Sequence, residues 1–317
     1  MLRANHAVRL GLRAASRNPE LSFIKALLDQ GGNLLAVRPL ALGAVLVASF
    51  LRGDPLRAVI AGLRAAVALR WPVLGGVLAA LAIGFAASIF FWAGAVPLLA
   101  ADAELNRRPP RGNFAMLVSG GAARTAVAGA LAWGVSLAFT FACYGVLLFA
   151  AIAAVLRPRA SAFAGAALAG AAILVGGVVL DTLARLTVVR AAAFGDSGTA
   201  AFGKAASLLA ARLGACTTVT VAFMVLELIV GAIAGTLLGV LSGGGLFSPP
   251  TELLALAPRA AIALAAGVVL GWLEVGRMGA LAALAADAEG LIEPQAPPEP
   301  PPVAELVVEA LPADDLT

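Results

Sequence analysis

The sequence predicts an all-α fold: a polytopic helical membrane protein with about six transmembrane helices and amphipathic interfacial helices between them. Three observations predict it. Of the 317 residues 61% are hydrophobic and only 13% charged, and the mean hydropathy of +0.97 is far above that of a soluble domain. Several apolar runs exceed 18 residues, the length at which a helix crosses a bilayer. None of these runs alternates polar with apolar residues, as the strands of a membrane barrel would.

The net charge of +4 is unevenly spread. From Asp287 onward there are eight carboxylates and no lysine or arginine, so the preceding part sets all 22 basic residues against the other ten carboxylates, a balance of +12. That division suits a bundle whose basic ends face anionic head groups, followed by an acidic tail. Membrane lipids are therefore expected partners. Nucleic acid is not, because the arginines are scattered over short connections. The sole histidine, His6, lies in a basic N-terminal stretch, which removes most histidine-based catalysis and zinc binding. Cys143 and Cys216 sit in apolar runs and read as small buried hydrophobes. No cofactor or metal is implied.

Three divisions follow: a basic amphipathic interfacial segment (1–32), a transmembrane bundle (33–286) and an acidic proline-rich tail (287–317). In the first, Arg3, Arg9, Arg13 and Arg17 extend too far to belong to a cleavable signal. Asn18-Pro19-Glu20 reads as a helix start, with Asn18 as cap. Leu21, Ile24, Leu27 and Leu28 form its apolar stripe, and Gly31-Gly32 ends it. This segment is expected to lie in the interface plane, its arginines toward lipid phosphates.

The first candidate span, 33–51, is interrupted by Arg38-Pro39. A second amphipathic helix follows over 56–70. Pro72 to Ala101 is a span with Trp71 at its edge, where an indole prefers to sit. Residues 102–124 form a basic connection around Arg107, Arg108 and Arg111, with an amphipathic helix over 113–123. Thr125 to Leu156 and Ser161 to Val189 cross next. Residues 190–212 hold a Gly-Asp-Ser-Gly turn and a short helix around Lys204. The span 213–241 is apolar but for Glu227, and the last span runs from 251 to 286. Six spans place the N-terminus, 102–124, 190–212 and the tail on one side, which the positive-inside rule favours as cytoplasmic. A five-span arrangement, with 33–51 not crossing, fits the charges about as well.

Charge inside the spans is where function can reside. Asp181 and Arg185 share a face with Gly177; Glu227 shares one with Gly231, Gly235 and Gly239; Glu274 shares one with Gly267 and Gly271, and Arg277 lies a turn beyond. A charge at the centre of a span costs on the order of 3 kcal/mol to insert and needs protein, water or a partner around it. Carboxylates on small-residue faces are therefore expected to meet inside the bundle, with Arg185 and Arg277 the partners of Asp181, Glu227 and Glu274. Such a cluster either fixes helix register or lines a path for a head group, ion or proton. The tail offers a second candidate: Val303, Leu306, Val307 and Leu311 recur at helical spacing and suit a docking helix that folds on a partner protein. Gly195-Asp196-Ser197-Gly198 echoes a serine-protease nucleophile tetrapeptide, but four turn-forming residues explain it.

The segment Leu180-Asp181-Thr182-Leu183-Ala184-Arg185 through Phe202-Gly203-Lys204-Ala205-Ala206, with amphipathic elbows before spans, resembles the six-helix membrane domain attached to some bacterial glycerophosphodiester phosphodiesterases, and stand-alone inner-membrane proteins of similar layout. The resemblance implies a bacterial inner-membrane location. It brings no phosphodiesterase chemistry, because that domain is missing from this sequence, and the acidic tail departs from its pattern. The expected function is a non-catalytic membrane protein that organises or assists a complex; the alternative is a small transporter or lipid-handling protein using the charged cluster.

Overall fold

A computed structural model of the chain describes residues 2–29, 71–105, 114–156, 160–242 and 249–292. Among the described residues there are eight helices and no strand: α1 (Ala4–Arg17), α2 (19–29), α3 (Trp71–Leu105), α4 (Phe114–Leu156), α5 (Ala160–Ala193), α6 (Gly198–Ala211), α7 (Leu213–Ser242) and α8 (Pro249–Ala288). Five stretches among the described residues are long and apolar enough to cross a membrane: Ala82–Asp102, Phe114–Cys143, Ala167–Ala193, Leu213–Val240 and Ala257–Ala288. The expected span at 33–51, the amphipathic helix at 56–70, the basic residues 107–111 and the docking residues of the tail lie outside the described residues.

Two boundaries differ from expectation. The amphipathic helix at 113–123 and the span after it are one helix, α4, which runs unbroken from Phe114. Gly120-Gly121 does not interrupt it, and Gly121 is buried beside Ala93 of α3. Asn18 ends α1 rather than capping α2: its side-chain amide donates to the Ala14 carbonyl at 2.8 Å.

The N-terminal helices are packed into the bundle. α1 runs antiparallel to the end of α8: the Leu2 amide donates to Asp287 at 2.9 Å, Gly11 lies against Gly276 and Ala280, and the Trp272 indole reaches Ser16 at 3.3 Å. Ala7, Gly11, Ala14 and Ala15 form the buried stripe of α1, so two helices meet almost backbone to backbone. A methyl group on Gly11 would collide with the Gly276 carbonyl. α2 then lies against α8 at Gly271, which faces the Ser22 carbonyl and Ala26.

The core is made by one end of each long helix. Val96 and Leu99 of α3, Leu186 and Val189 of α5, Val219 and Phe223 of α7, and Met278, Leu281 and Leu284 of α8 are all buried in one cluster. Ion pairs tie the chain together at that end: Arg17 to Asp102 at 3.1 Å, Arg190 to Asp196 at 2.9 Å and to Glu289 at 2.5 Å, and Arg212 to Asp287. The start of the chain, the α5–α6 turn, the start of α7 and the close of α8 thus share one end of the bundle. The Gly-Asp-Ser-Gly stretch is that turn. Gly195 has φ +72°, and Asp196 takes both Arg190 and, at 2.5 Å, Lys204.

Candidate functional site: a charged network at mid-span

Asp181, Glu227 and Glu274 each fall close to the midpoint of an apolar stretch, on α5, α7 and α8. The structure brings them together through two arginines. Arg185 reaches back one turn along α5, its Nε 3.1 and 3.0 Å from the two oxygens of Asp181, and its Nη1 donates to Glu274 Oε1 at 3.1 Å. Arg277, one turn after Glu274, places Nη1 3.3 Å from Asp181 and Nη2 3.0 Å from Glu227 Oε1. Asp181 is thus shared by both guanidinium groups, and three helices are cross-linked by charge-assisted hydrogen bonds.

Two further members come from α2. Lys25 Nζ lies 2.7 Å from Glu274 Oε2 and also pairs with Asp29, one turn along its own helix. Its ammonium stands 5.8 Å from the Trp92 ring centroid on α3. The carboxyl of Asp29, outside the spans, is held above its ordinary pKa of 3.8 by partial burial and by the neighbouring Glu274, against the pull of Lys25.

Burial is graded across the network. The side chains of Arg277 and Lys25 are only 5% and 7% exposed, whereas Asp181 and Asp29 are 33% and 43% exposed. Arg277 and Lys25 sit inside, Asp181 and Asp29 toward the rim, and Arg185 and Glu274 lie between them at equal depth. Three cations face four carboxylates. Pairing is not complete: Glu227 Oε1 is close to Arg277 but badly angled, so the hydrogen bond goes to Oε2 at 3.3 Å, and Oε1 and Arg277 Nε have no hydrogen-bond partner among the described residues. Just toward the packed end, the Thr182 and Thr220 hydroxyls share a hydrogen bond of 2.8 Å between α5 and α7.

Among the described residues, the network marks the level at which the packing of α5 and α7 stops. On its packed side lie Leu186, Val219, Phe223 and Met278, all buried. On its other side Leu174, Val175, Leu228, Ile233 and Val240 are exposed. A cleft of about 400 Å³ opens there between α4 and α5, with Ser136, Thr140 and Cys143 on one wall and Gly177 and Asp181 on the other. The glycines singled out in sequence all lie on that other side, and they divide by helix. Gly271 is in close contact with α2 and Gly267 is buried, while a side chain at Gly177, Gly231, Gly235 or Gly239 would meet nothing within 4 Å among the described residues.

These groups can hold helices in register, or hold a proton or a polar group at the cleft. Among the described residues no group of histidine, cysteine and carboxylate side chains is arranged to hold a metal ion. Lys25 and Asp29 are the members that sequence reasoning missed. The available signal was that Lys25 is one of only two lysines and stands one turn before Asp29, beside the apolar stripe of its helix. Compared with protein-family models, with curated proteins and with solved structures, the chain matches none.

Proposed function

We propose that the protein is a non-catalytic integral membrane protein that organises or assists a membrane complex. The observation that carries the reading is how its polar groups are used. The five mid-span charges, with Lys25 and Asp29 of α2, are turned toward one another, which suits a register lock, while the far halves of α5 and α7 present apolar side chains and glycines that no described residue fills. The partner is another helical membrane segment, with the acidic tail as a second point of contact. The chain crosses the inner membrane of a bacterium six times, with both ends and the paired basic end in the cytoplasm and amphipathic helices at the interface. It belongs with the six-helix membrane domains it resembles through Asp181, Arg185 and Lys204.

The test is purification from native membranes in mild detergent. Wild type should carry a defined partner, and the double variant Gly231→Leu, Gly235→Leu should lose it without a change in melting temperature. A monodisperse wild-type monomer with no partner, indistinguishable from the variant, overturns the reading.

One observation favours a second reading, a small transporter or lipid-handling protein: the cleft that ends on Asp181 at mid-span. On that reading, single cysteines at Ser136, Thr140 and Gly177, and along 223–239, react with a water-soluble thiol reagent in sealed vesicles. A register lock leaves them protected.

A further inference from the structure

A second cleft, of about 460 Å³, lies at the basic end, where the start of α4 passes the α5–α6 turn. Its walls are mainly apolar: Pro97 of α3, Met116 and Leu117 of α4, and Phe194 at the close of α5. Its one charged group is Arg124, with Gly120 a turn before it.

Arg124 is held differently from its neighbours. Arg17, Arg190, Lys204 and Arg212 each meet a carboxylate. Arg124 instead donates Nη1 to the Gly195 carbonyl at 3.3 Å and Nη2 to the Gly120 carbonyl at 3.2 Å. Both partners are neutral, and no carboxylate among the described residues lies within ion-pair distance of it. The guanidinium is thereby oriented with no compensating carboxylate among the described residues, and three of its five N–H groups are not used by these two bonds. Gly195 supports the arrangement. Its φ of +72° suits glycine, and a Cβ there would stand 3.2 Å from Arg124 Nη1.

We propose that this cleft binds the phosphodiester head group of an anionic phospholipid, with Arg124 on the phosphate and Met116, Leu117 and Phe194 against the lipid's apolar part. An oriented planar guanidinium matches two phosphate oxygens. The α5–α6 turn places it at the end of a span, the depth at which phosphates lie. The apolar walls select a lipid over a free anion: inorganic phosphate has nothing to set against Met116, which is 75% exposed, or Phe194. The inference is independent of the reading of the mid-span network.

The test uses the full chain, delipidated in a neutral detergent, with native mass spectrometry to count bound lipid and thermal unfolding as a second readout. Phosphatidylglycerol, phosphatidylcholine and inorganic phosphate are titrated separately. The wild type should take one phosphatidylglycerol about fivefold more tightly than phosphatidylcholine, the factor expected for one interfacial cation. Arg124→Gln should erase that preference. Gly120→Leu, at a position with nothing within 4 Å, should fill the cleft and reduce lipid binding while leaving the lipid-free melting temperature unchanged. If Arg124→Gln fails to fold because Arg124 only caps α5, Gly120→Leu decides alone. Retained selective binding of phosphatidylglycerol in the variant that folds overturns the proposal. So does a thermal shift with inorganic phosphate equal to that with the lipid.

Discussion

Gly11 and Gly235 are the same residue type on two long helices, and they do opposite things. At Gly11 the backbone of α1 presses on the backbone of α8, with Gly276, Gly279 and Ala280 opposite. At Gly235 a Cβ would meet nothing within 4 Å among the described residues. The same contrast separates the two ends of α5, where Leu186 and Val189 are buried and Leu168 and Leu174 are 73% exposed. One end of the molecule is closed by small residues, ion pairs and helix contacts; the other has the composition for contact and no neighbour among the described residues. Small residues permit close approach but do not supply the surface that approaches, so a glycine line marks an opportunity that only the rest of the fold, or a partner, takes up.

The comparison is broken most directly by equal substitutions at its two sides. Gly11→Leu forces backbone apart on α1 and α8 and is expected to cost about 3 kcal/mol, the upper range for overpacking, while Gly235→Leu should change stability by less than about 0.5 kcal/mol. Denaturant unfolding in detergent reads both, and equal losses would erase the distinction. Next in size is the boundary itself. Arg277→Ala strips Glu227 and half of Asp181 of their cation and should cost about 3 kcal/mol. Lys25→Met removes the tie between α2 and α8. It should cost less, about 2 kcal/mol, because the partly exposed Asp29 rehydrates. Limited proteolysis should then cut within 19–29 while α8 stays protected. Glu227→Gln keeps shape and a hydrogen-bond acceptor and should shift stability by less than about 1 kcal/mol. An effect as large as that of Arg277→Ala would mean the ion pair with Arg277 is the lock.

The smallest effect is a pH dependence. The folded-state pKa of Asp29 is raised, so the folded chain holds that proton more tightly than the unfolded chain does. Its contribution is present below the ordinary pKa of 3.8 and is lost as pH rises through the raised value. Asp29→Asn should therefore flatten the fall in stability that wild type shows as pH rises above 3.8. Identical slopes in the two proteins would remove Asp29 from the network's electrostatics.

Hydropathy made α5, α7 and α8 legible, because a long apolar run with no alternation has one stable form in a bilayer. Counting along helix faces made the intramembrane charges legible. The Asp181–Arg185 spacing allows one geometry only, and a lone Glu227 in an apolar helix needs a cation from elsewhere. The docking of α1 was harder to see, because four arginines in a short stretch read as a surface, and the stripe Ala7, Gly11, Ala14, Ala15 that seats it carries no hydropathy signal. Lys25 was obscured for the same reason: its partner, Glu274, lies far along the chain, and no local pattern encodes that contact. That Arg124 meets no carboxylate among the described residues is equally non-local, since it depends on which carboxylates the fold delivers to its neighbours.

The seating of α1 along α8 has a consequence for how the molecule is made. Residues 4–17 leave the ribosome long before their groove, 271–288. At about 5–20 residues per second the first helix waits on the order of ten to fifty seconds for its seat. Until then α3, through Arg17 and Asp102, is the earlier contact it can make, without the groove that buries its small-residue stripe. A message truncated before Gly271 therefore yields a chain whose α1 never finds its seat, which would display such a premature stop to quality-control proteases at a site far in sequence from the damage.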